Sequence, residues 1–567
     1  MITTSNIVAR RLAKLLEQHG VSRIIVSPGS RNAPLIQAVD SHGKFDISLV
    51  TDERQAGFVA LGVAEIQNSP VAIICTSGSA PLDYMPAVAE AYYSRVPLIV
   101  ITADRPRAWI GQDDSQTIVQ PGVMDKIVKK SYHIDTPHND EDVWFAERQI
   151  NDALLTAVAG APGPVHINIA VGEPIGELED IADEQTRVVT MVSPEPWLSA
   201  DNIKRLAYDM AHCAKVMIVC GFMTPDKSIN ASINRLAALP NTVVMTESVA
   251  NLHGDRLISN IDGALAAVPQ NMAEDFEPEL VITTGGALIS RHIKEYLRRL
   301  KGIRHWHVSR VDETVDCFKQ LNVRINTSPK AFFSQLMSTV AKNGGAVESD
   351  FGRRWMRVRE RAISLTKGFA ARAQWSDFKA MDIITDAIPR RWNVQYSNGT
   401  PIRYGQIFGF RQLHRCNCNR GVSGIDGCTS TAVGASMAYL HDATILISGD
   451  TSAVYDIGVL SLSQITPRFK MVVINNGGGG IFRFIKSTSS MPIKDKYLAV
   501  QQPVEALAAL AGRMGFKFLE VDNEVALQNA MSEMIVEKEH PVLIVTNTPA
   551  EQSATTLNDF FDFCKNN

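Results

Sequence analysis

The sequence predicts an α/β protein of three domains, each a mostly parallel sheet flanked by helices, and three observations lead there. Short apolar, β-branched runs recur along all 567 residues. The stretches between them are Ala-rich with apolar residues at helical spacing, and Gly, Pro, Asn and Asp punctuate the junctions. Composition agrees: 45% hydrophobic and 20% charged side chains suit a chain that buries cores and exclude a disordered or fibrous one.

In chain order, Val8, Leu12 and Leu15 mark a first helix, residues 23–27 a first strand, and Ser27-Pro28-Gly29-Ser30 a turn. Residues 47–51, 71–75, 98–102 and 165–169 read as further buried strands. From there to Pro194-Glu195-Pro196 the chain turns proline-rich and acidic, as a linker does. A second α/β rhythm has strands at 216–220, 242–246, 280–284 and 305–309 and stops near Lys342-Asn343-Gly344-Gly345. A third has strands at 394–397, 444–448, 470–475 and 542–546. The expected domains are therefore 1–180, 181–345 and 346–567.

Several function classes fall away. No apolar run approaches the roughly 18 residues of a membrane helix, and the N-terminus has no apolar signal core, so no membrane span and a cytoplasmic location are expected. With 56 basic against 60 acidic residues, nucleic acid has no electrostatic footprint to meet. Eight scattered cysteines are expected to be thiols, and the cluster His414, Cys416, Cys418 and Cys428 fits no common zinc spacing.

The chemistry concentrates in the third domain. Gly449-Asp450-Thr451 follows one apolar strand, and after 23 residues Asn475-Asn476-Gly477-Gly478-Gly479-Gly480 follows another. Acid and amide groups at the ends of neighbouring parallel strands face the crevice where open α/β sheets bind ligands. The Asp450 carboxylate, the Asn476 amide oxygen and the Gly478 carbonyl are hard oxygen donors suited to Mg²⁺ on a diphosphate, with Thr451 to Ala453 amides at a helix start for the phosphate oxygens. Taken singly, each motif also reads as an ordinary strand-ending turn.

The pair resembles the cofactor motif of the thiamine diphosphate (ThDP) enzymes, with Thr451 in place of a glycine and a slightly short spacing. That resemblance implies a ThDP-binding fold with a central Rossmann-like domain. It also implies a carboxylate in the first domain that hydrogen-bonds the cofactor's aminopyrimidine ring. Glu53, in Thr51-Asp52-Glu53-Arg54-Gln55-Ala56-Gly57, supplies it and is the expected catalytic residue; alone, Asp52 and Glu53 would read as helix N-terminal acids.

Longer runs narrow the family. Ser27-Pro28-Gly29-Ser30-Arg31-Asn32-Ala33-Pro34-Leu35, Thr102-Ala103-Asp104-Arg105-Pro106 and Asn419-Arg420-Gly421-Val422-Ser423-Gly424-Ile425-Asp426-Gly427 are similar to those of the ThDP carboligases of menaquinone biosynthesis. These join decarboxylated 2-oxoglutarate to isochorismate. The resemblance assigns cofactor contacts to Glu53, Ile425, Gly449, Asp450, Thr451, Ser452, Asn476, Gly478, Gly479 and Ile481, and Mg²⁺ or Mn²⁺ to Asp450, Asn476 and Gly478. Substrate contacts fall to Ser30, Arg31, Arg105, Gln116, Arg291, Asn398, Arg403, Arg420 and Phe482. Two dicarboxylate substrates call for arginine, whose fixed fork matches carboxylate geometry. Arg291 stands where the family has lysine, and Gly399 where it commonly has serine. Because ThDP enzymes bind cofactor between the first domain of one subunit and the third of another, a homodimer or homotetramer is implied. Two alternatives stay open: another ThDP enzyme, such as an acetohydroxyacid synthase or 2-oxoacid decarboxylase, and a non-catalytic nucleotide-binding protein.

Overall fold

The computed structural model describes residues 2–181, 185–192, 197–311, 313–411 and 415–567. The chain forms two compact units. One comprises Met1–Ser193, Asn419–Leu440 and Tyr455–Thr466; the other comprises Pro194–Cys418, His441–Val454 and Pro467–Asn567.

In the first unit, β1 (Ile2–Thr4), β2 (Arg23–Val26), β3 (Asp46–Leu49), β4 (Val71–Cys75), β5 (Leu98–Asp104), β6 (Ser131–Ile134), β7 (Val165–Ala170) and β8 (Leu178–Asp180) appear in turn. Six of them form a parallel sheet in the order β3-β2-β4-β5-β7-β6, and β1 pairs antiparallel with β8. Thus the expected linker includes one short strand at 178–180; Pro194-Glu195-Pro196 lies outside the described residues. Every residue of β4, β5 and β7 is buried, as sheets covered on both faces require.

The second unit carries two further parallel sheets. One contains β9 (Val216–Cys220), β10 (Thr242–Thr246), β11 (Leu257–Ile258), β12 (Leu280–Thr284), β13 (Arg304–Ser309) and β14 (Leu321–Asn326), ordered β11-β10-β9-β12-β13-β14. The other contains β15 (Asn393–Tyr396), β16 (Arg415–Cys418), β17 (Thr444–Gly449), β18 (Phe469–Asn475), β19 (Lys517–Val521) and β20 (Val542–Asn547), ordered β16-β15-β17-β18-β20-β19. Each has helices packed on it, and burial of each Val, Leu or Ile contributes roughly 1.5–3 kcal/mol before chain entropy is set against it. Among the described residues no helix is long and apolar enough to cross a membrane.

Sequence reading finds the interior strands of the three large sheets and the edge strand β3, and misses the edges β6, β11, β14, β16 and β19 together with the short pair β1 and β8. β14 and β19 mix burial with exposure, so polar residues interrupt the apolar run that identifies an interior strand, while β11 is only two residues long and β16 reads Arg-Cys-Asn-Cys.

One feature of the first unit positions its chemistry. The helix Glu53–Gln67 packs on the helix Cys428–Ala438 so closely that a Cβ on Gly62 would overlap the carbonyl of Thr431, and one on Gly434 that of Val59. Glycine is required there because the two backbones occupy the space a methyl group would fill.

Candidate functional site

In the second unit the carboxyl ends of β17 and β18 lie side by side, with Gly449 opposite Ile474. Asp450 begins the helix Asp450–Tyr455 directly after β17 and is only 2% exposed. Its Oδ1 accepts from the Thr451 amide at 2.6 Å and the Thr451 hydroxyl at 3.2 Å, and its Oδ2 from the Gly478 amide at 2.7 Å. Burial raises its carboxyl above the ordinary range, and those donors oppose the shift. The two motifs therefore meet.

Asn476 is buried, and its Nδ2 donates to Asp377 Oδ2 at 2.6 Å, which leaves its amide oxygen as the free end of the group. Gly478 has φ +85°, and a Cβ there would overlap the Val500 carbonyl, so the backbone that brings its amide to Asp450 is open to glycine alone. Gly479 donates to Thr451 Oγ1 at 3.4 Å, while Ser452 is buried and Ile481 and Phe482 are half-buried on the next short helix. The Asp450 carboxylate, the Asn476 amide oxygen and the Gly478 carbonyl are oxygen donors of the kind that Mg²⁺ or Mn²⁺ takes.

Nearby on the same sheet, Ser397 Oγ accepts from the Gly449 amide at 3.2 Å, and Asn398 is buried with its Oδ1 accepting from Cys418 Sγ at 3.4 Å. Gly399 has φ +99° and ψ −134°, a conformation that a serine would adopt only under strain. Arg403 is half-buried in the helix Thr400–Ile407. Arg291 opens the helix Arg291–Arg299 and makes an exposed 3.8 Å pair with Glu295.

In the first unit the candidates again follow strand ends. Glu53 is the first residue of its helix, after β3, and Asp52 caps that helix by accepting from the Gln55 amide at 3.1 Å. Burial raises the Glu53 carboxyl, the charges of Asp83 and Asp52 raise it further, and a local backbone hydrogen bond opposes them. Glu53 in turn adds to the upward shifts that burial imposes on the Cys75 thiol and the Tyr84 hydroxyl, so the three groups are electrostatic neighbours. Tyr84 donates to Ser27 Oγ at 3.3 Å, and Ser27 to the Val50 carbonyl at 2.9 Å, tying the ends of β2 and β3 together.

Arg31 is 6% exposed, and its Nη1 donates to the Val171 carbonyl and to Glu173 Oε1, both at 3.0 Å. Its Nε is buried and makes no hydrogen bond among the described residues. Arg105 Nε meets the Ser115 carbonyl at 2.9 Å and Asp114 Oδ2 at 3.2 Å, which leads to exposed Gln116 at φ +54°, while Ser30 is exposed. Gln120 fixes this loop: its Oε1 accepts from the Gly78 amide at 2.9 Å and its Nε2 donates to Asn168 Oδ1 at 2.8 Å.

The segment bearing Arg420 and Ile425 also belongs to this unit. Glu90, 2% exposed, accepts from the Gly421 amide at 2.6 Å, the Val422 amide at 2.7 Å and the Ser94 hydroxyl at 2.6 Å. Arg420 is half-buried, and Ile425 is 38% exposed, which is not how an isoleucine of the core sits. Asp456 then caps the next helix from outside, accepting from the Ser430 amide at 2.7 Å and hydroxyl at 2.9 Å, with Arg54 at 3.9 Å. Sequence reading misses Glu90, Asp456 and Asp377, since each acts through a partner distant in the chain.

Burial pushes the Asp456 carboxyl from the ordinary 3.8 up to about 6. A raised carboxyl stabilises the fold while protonated, so its contribution is present below about pH 4 and is lost as pH rises through about 6. At ~1.4 kcal/mol per pKa unit the loss is of order 3 kcal/mol. The Tm difference, wild type minus Asp456→Asn, is expected to be larger at about pH 5 than at about pH 8; equal differences at both would show that Asp456 titrates normally.

His414 lies outside the described residues. Cys416, Cys418 and Cys428 are buried thiols, and no group of three His, Cys, Asp or Glu side chains able to hold a metal occurs among the described residues.

Comparison with known proteins gives two family matches: thiamine pyrophosphate enzyme, N-terminal TPP binding domain, over residues 7–123, and thiamine pyrophosphate enzyme, C-terminal TPP binding domain, over residues 402–546. Thiamine pyrophosphate and ThDP are the same molecule. Three similar full-length proteins are all named 2-succinyl-5-enolpyruvyl-6-hydroxy-3-cyclohexene-1-carboxylate synthase. The one from Porphyromonas gingivalis is 35% identical, covering 97% of this chain and 96% of its own. Those from Bacteroides thetaiotaomicron and Flavobacterium psychrophilum are each 33% identical, covering 97% of both chains and 98% of both chains respectively.

Proposed function

The chain belongs to the 2-succinyl-5-enolpyruvyl-6-hydroxy-3-cyclohexene-1-carboxylate (SEPHCHC) synthases, ThDP enzymes of menaquinone biosynthesis that form a carbon–carbon bond, and from that premise we propose how its own residues divide the work. The substrates are 2-oxoglutarate, which loses CO₂, and isochorismate, whose ring alkene receives the remaining carbon unit. When bound, ThDP supplies the electron sink for the carbon that loses CO₂.

Asp450, Asn476 and the Gly478 carbonyl would hold Mg²⁺ or Mn²⁺ at the cofactor's diphosphate, with Thr451 and Ser452 in the first turn of the helix that Asp450 opens. The hydrogen bond from the Gly478 amide to Asp450 Oδ2, which brings the two motifs together, is the observation that carries the reading. Glu53 would hydrogen-bond the aminopyrimidine ring: burial and the neighbouring acids Asp83 and Asp52 push its carboxyl above the ordinary range, which favours a carboxyl that shares a proton with a ring nitrogen. Arg31, with an Nε still to be satisfied, and Arg105, Arg403 and Arg420 orient the substrate carboxylates together with Ser30, Gln116 and Asn398. Ile425 and Ile481 bear on the cofactor, Phe482 lines the substrate side, and Arg291 has a supporting role.

The division into 1–180, 181–345 and 346–567 is kept as the functional one, with the first part serving the pyrimidine and the last the diphosphate. Subunits pair as a homodimer or homotetramer, Glu53 of one serving the Asp450 set of its neighbour, in the cytoplasm. The test is CO₂ release from 2-oxoglutarate by the purified enzyme with ThDP and Mg²⁺. Release is expected to be slow alone and to accelerate when isochorismate is added; faster release from pyruvate would instead favour an acetohydroxyacid synthase or decarboxylase reading.

A further inference from the structure

We propose that Asp377 is a positioning residue that sets which end of the Asn476 amide faces the metal; the proposal rests on the reading of Asp450, Asn476 and Gly478 as the metal-holding set. Asp377 opens the helix Asp377–Ala387 and is buried. Its Oδ2 accepts from Asn476 Nδ2 at 2.6 Å, and its Oδ1 accepts from the Thr548 hydroxyl at 2.6 Å and the Ser553 hydroxyl at 3.1 Å. Ser553 also accepts from the Asp377 amide at 2.9 Å, and the Thr548 amide donates to the Asn475 carbonyl at 2.9 Å. Both ends of this network are thus anchored beside β18.

The donors are all neutral, so a carboxylate here is expensive compared with an apolar residue of the same size. What it provides is directional. The oxygen and nitrogen ends of an amide have nearly the same shape, so packing alone selects poorly between them. Both Asp377 oxygens accept here, Oδ1 from two hydroxyls and Oδ2 from the amide, so the NH₂ end of Asn476 is the end that meets it favourably. The oxygen end is left as the metal donor, and a flipped amide would present N–H to the cation. Groups that orient metal ligands in this way typically contribute 10–100-fold in metal affinity.

The test uses Mn²⁺ as the probe, titrated into the full-length protein with ThDP and read by electron paramagnetic resonance, alongside the metal-free Tm. Asp377→Leu removes the acceptor at similar volume and is expected to raise the Mn²⁺ Kd roughly 10- to 100-fold; Asp377→Asn keeps an acceptor but no longer excludes the flipped amide and should raise it at least about threefold. Asp450→Ala serves as the control for the site itself. If Asp450→Ala abolishes Mn²⁺ binding while Asp377→Leu stays within about twofold of wild type, the positioning role is wrong and the metal site stands. If wild type and Asp450→Ala bind Mn²⁺ alike, the metal reading falls and this inference with it. Should Asp377→Leu fail to fold, the Asp377→Asn titration decides, and a Kd within about twofold of wild type overturns the proposal.

Discussion

Glu53→Gln is expected to bind ThDP and Mg²⁺ with an affinity within a fewfold of wild type and to lose roughly a hundred- to ten-thousand-fold in kcat, the range that a positioned proton-sharing group contributes. The reasoning is electrostatic. The carboxyl sits at the head of its helix with two other acids acting on it, and burial already disfavours its charge. An amide of the same size keeps the packing and one hydrogen bond but has no proton to exchange with a ring nitrogen. Because the charge it removes is disfavoured by burial, the variant's Tm at neutral pH should not fall. Activity loss with an unchanged Tm and ThDP titration separates this role from misfolding. A kcat within about threefold of wild type would remove Glu53 from the chemistry.

Asp450→Ala should abolish the thermal stabilisation that ThDP and Mg²⁺ give together. A ligand that binds the folded state at 100 times its Kd stabilises by about 2.7 kcal/mol, and that increment is the quantity to compare. The apo protein will also weaken, because the Gly478 and Thr451 amides lose their acceptor, at about 1–3 kcal/mol per unsatisfied buried group. Hence the informative number is the difference between loaded and unloaded Tm within each protein. An undiminished increment in Asp450→Ala would mean that the diphosphate is held elsewhere.

Fold and site were legible to different depths. The interior strands show themselves because residues such as Val71 to Cys75 and Val216 to Cys220 are buried on both faces and need no polar side chain. Lys517 to Val521 and Leu321 to Asn326, at sheet edges, alternate or mix burial with exposure, so no apolar run marks them. Asp450, Asn476 and the glycines after it drew notice by their places directly after apolar strands, whereas Glu53 was reached only through the resemblance to the ThDP enzymes, because alone it reads as a helix N-terminal acid. Glu90, Asp377 and Asp456 left no such trace. Glu90 meets Gly421 across 331 positions and Asp377 meets Asn476 across 99, and a single buried acid in a helix looks the same whether it orients a ligand or not.

The interlocked glycines of the helices Glu53–Gln67 and Cys428–Ala438 bear on how mutational surveys of this enzyme should be interpreted. A saturation library would flag Gly62 and Gly434 as intolerant hot positions, although neither offers a functional group to any reactant. An added methyl at either would pry the pair apart and displace the helix that begins at Glu53. Loss of turnover there would register a displaced helix and not a lost functional group.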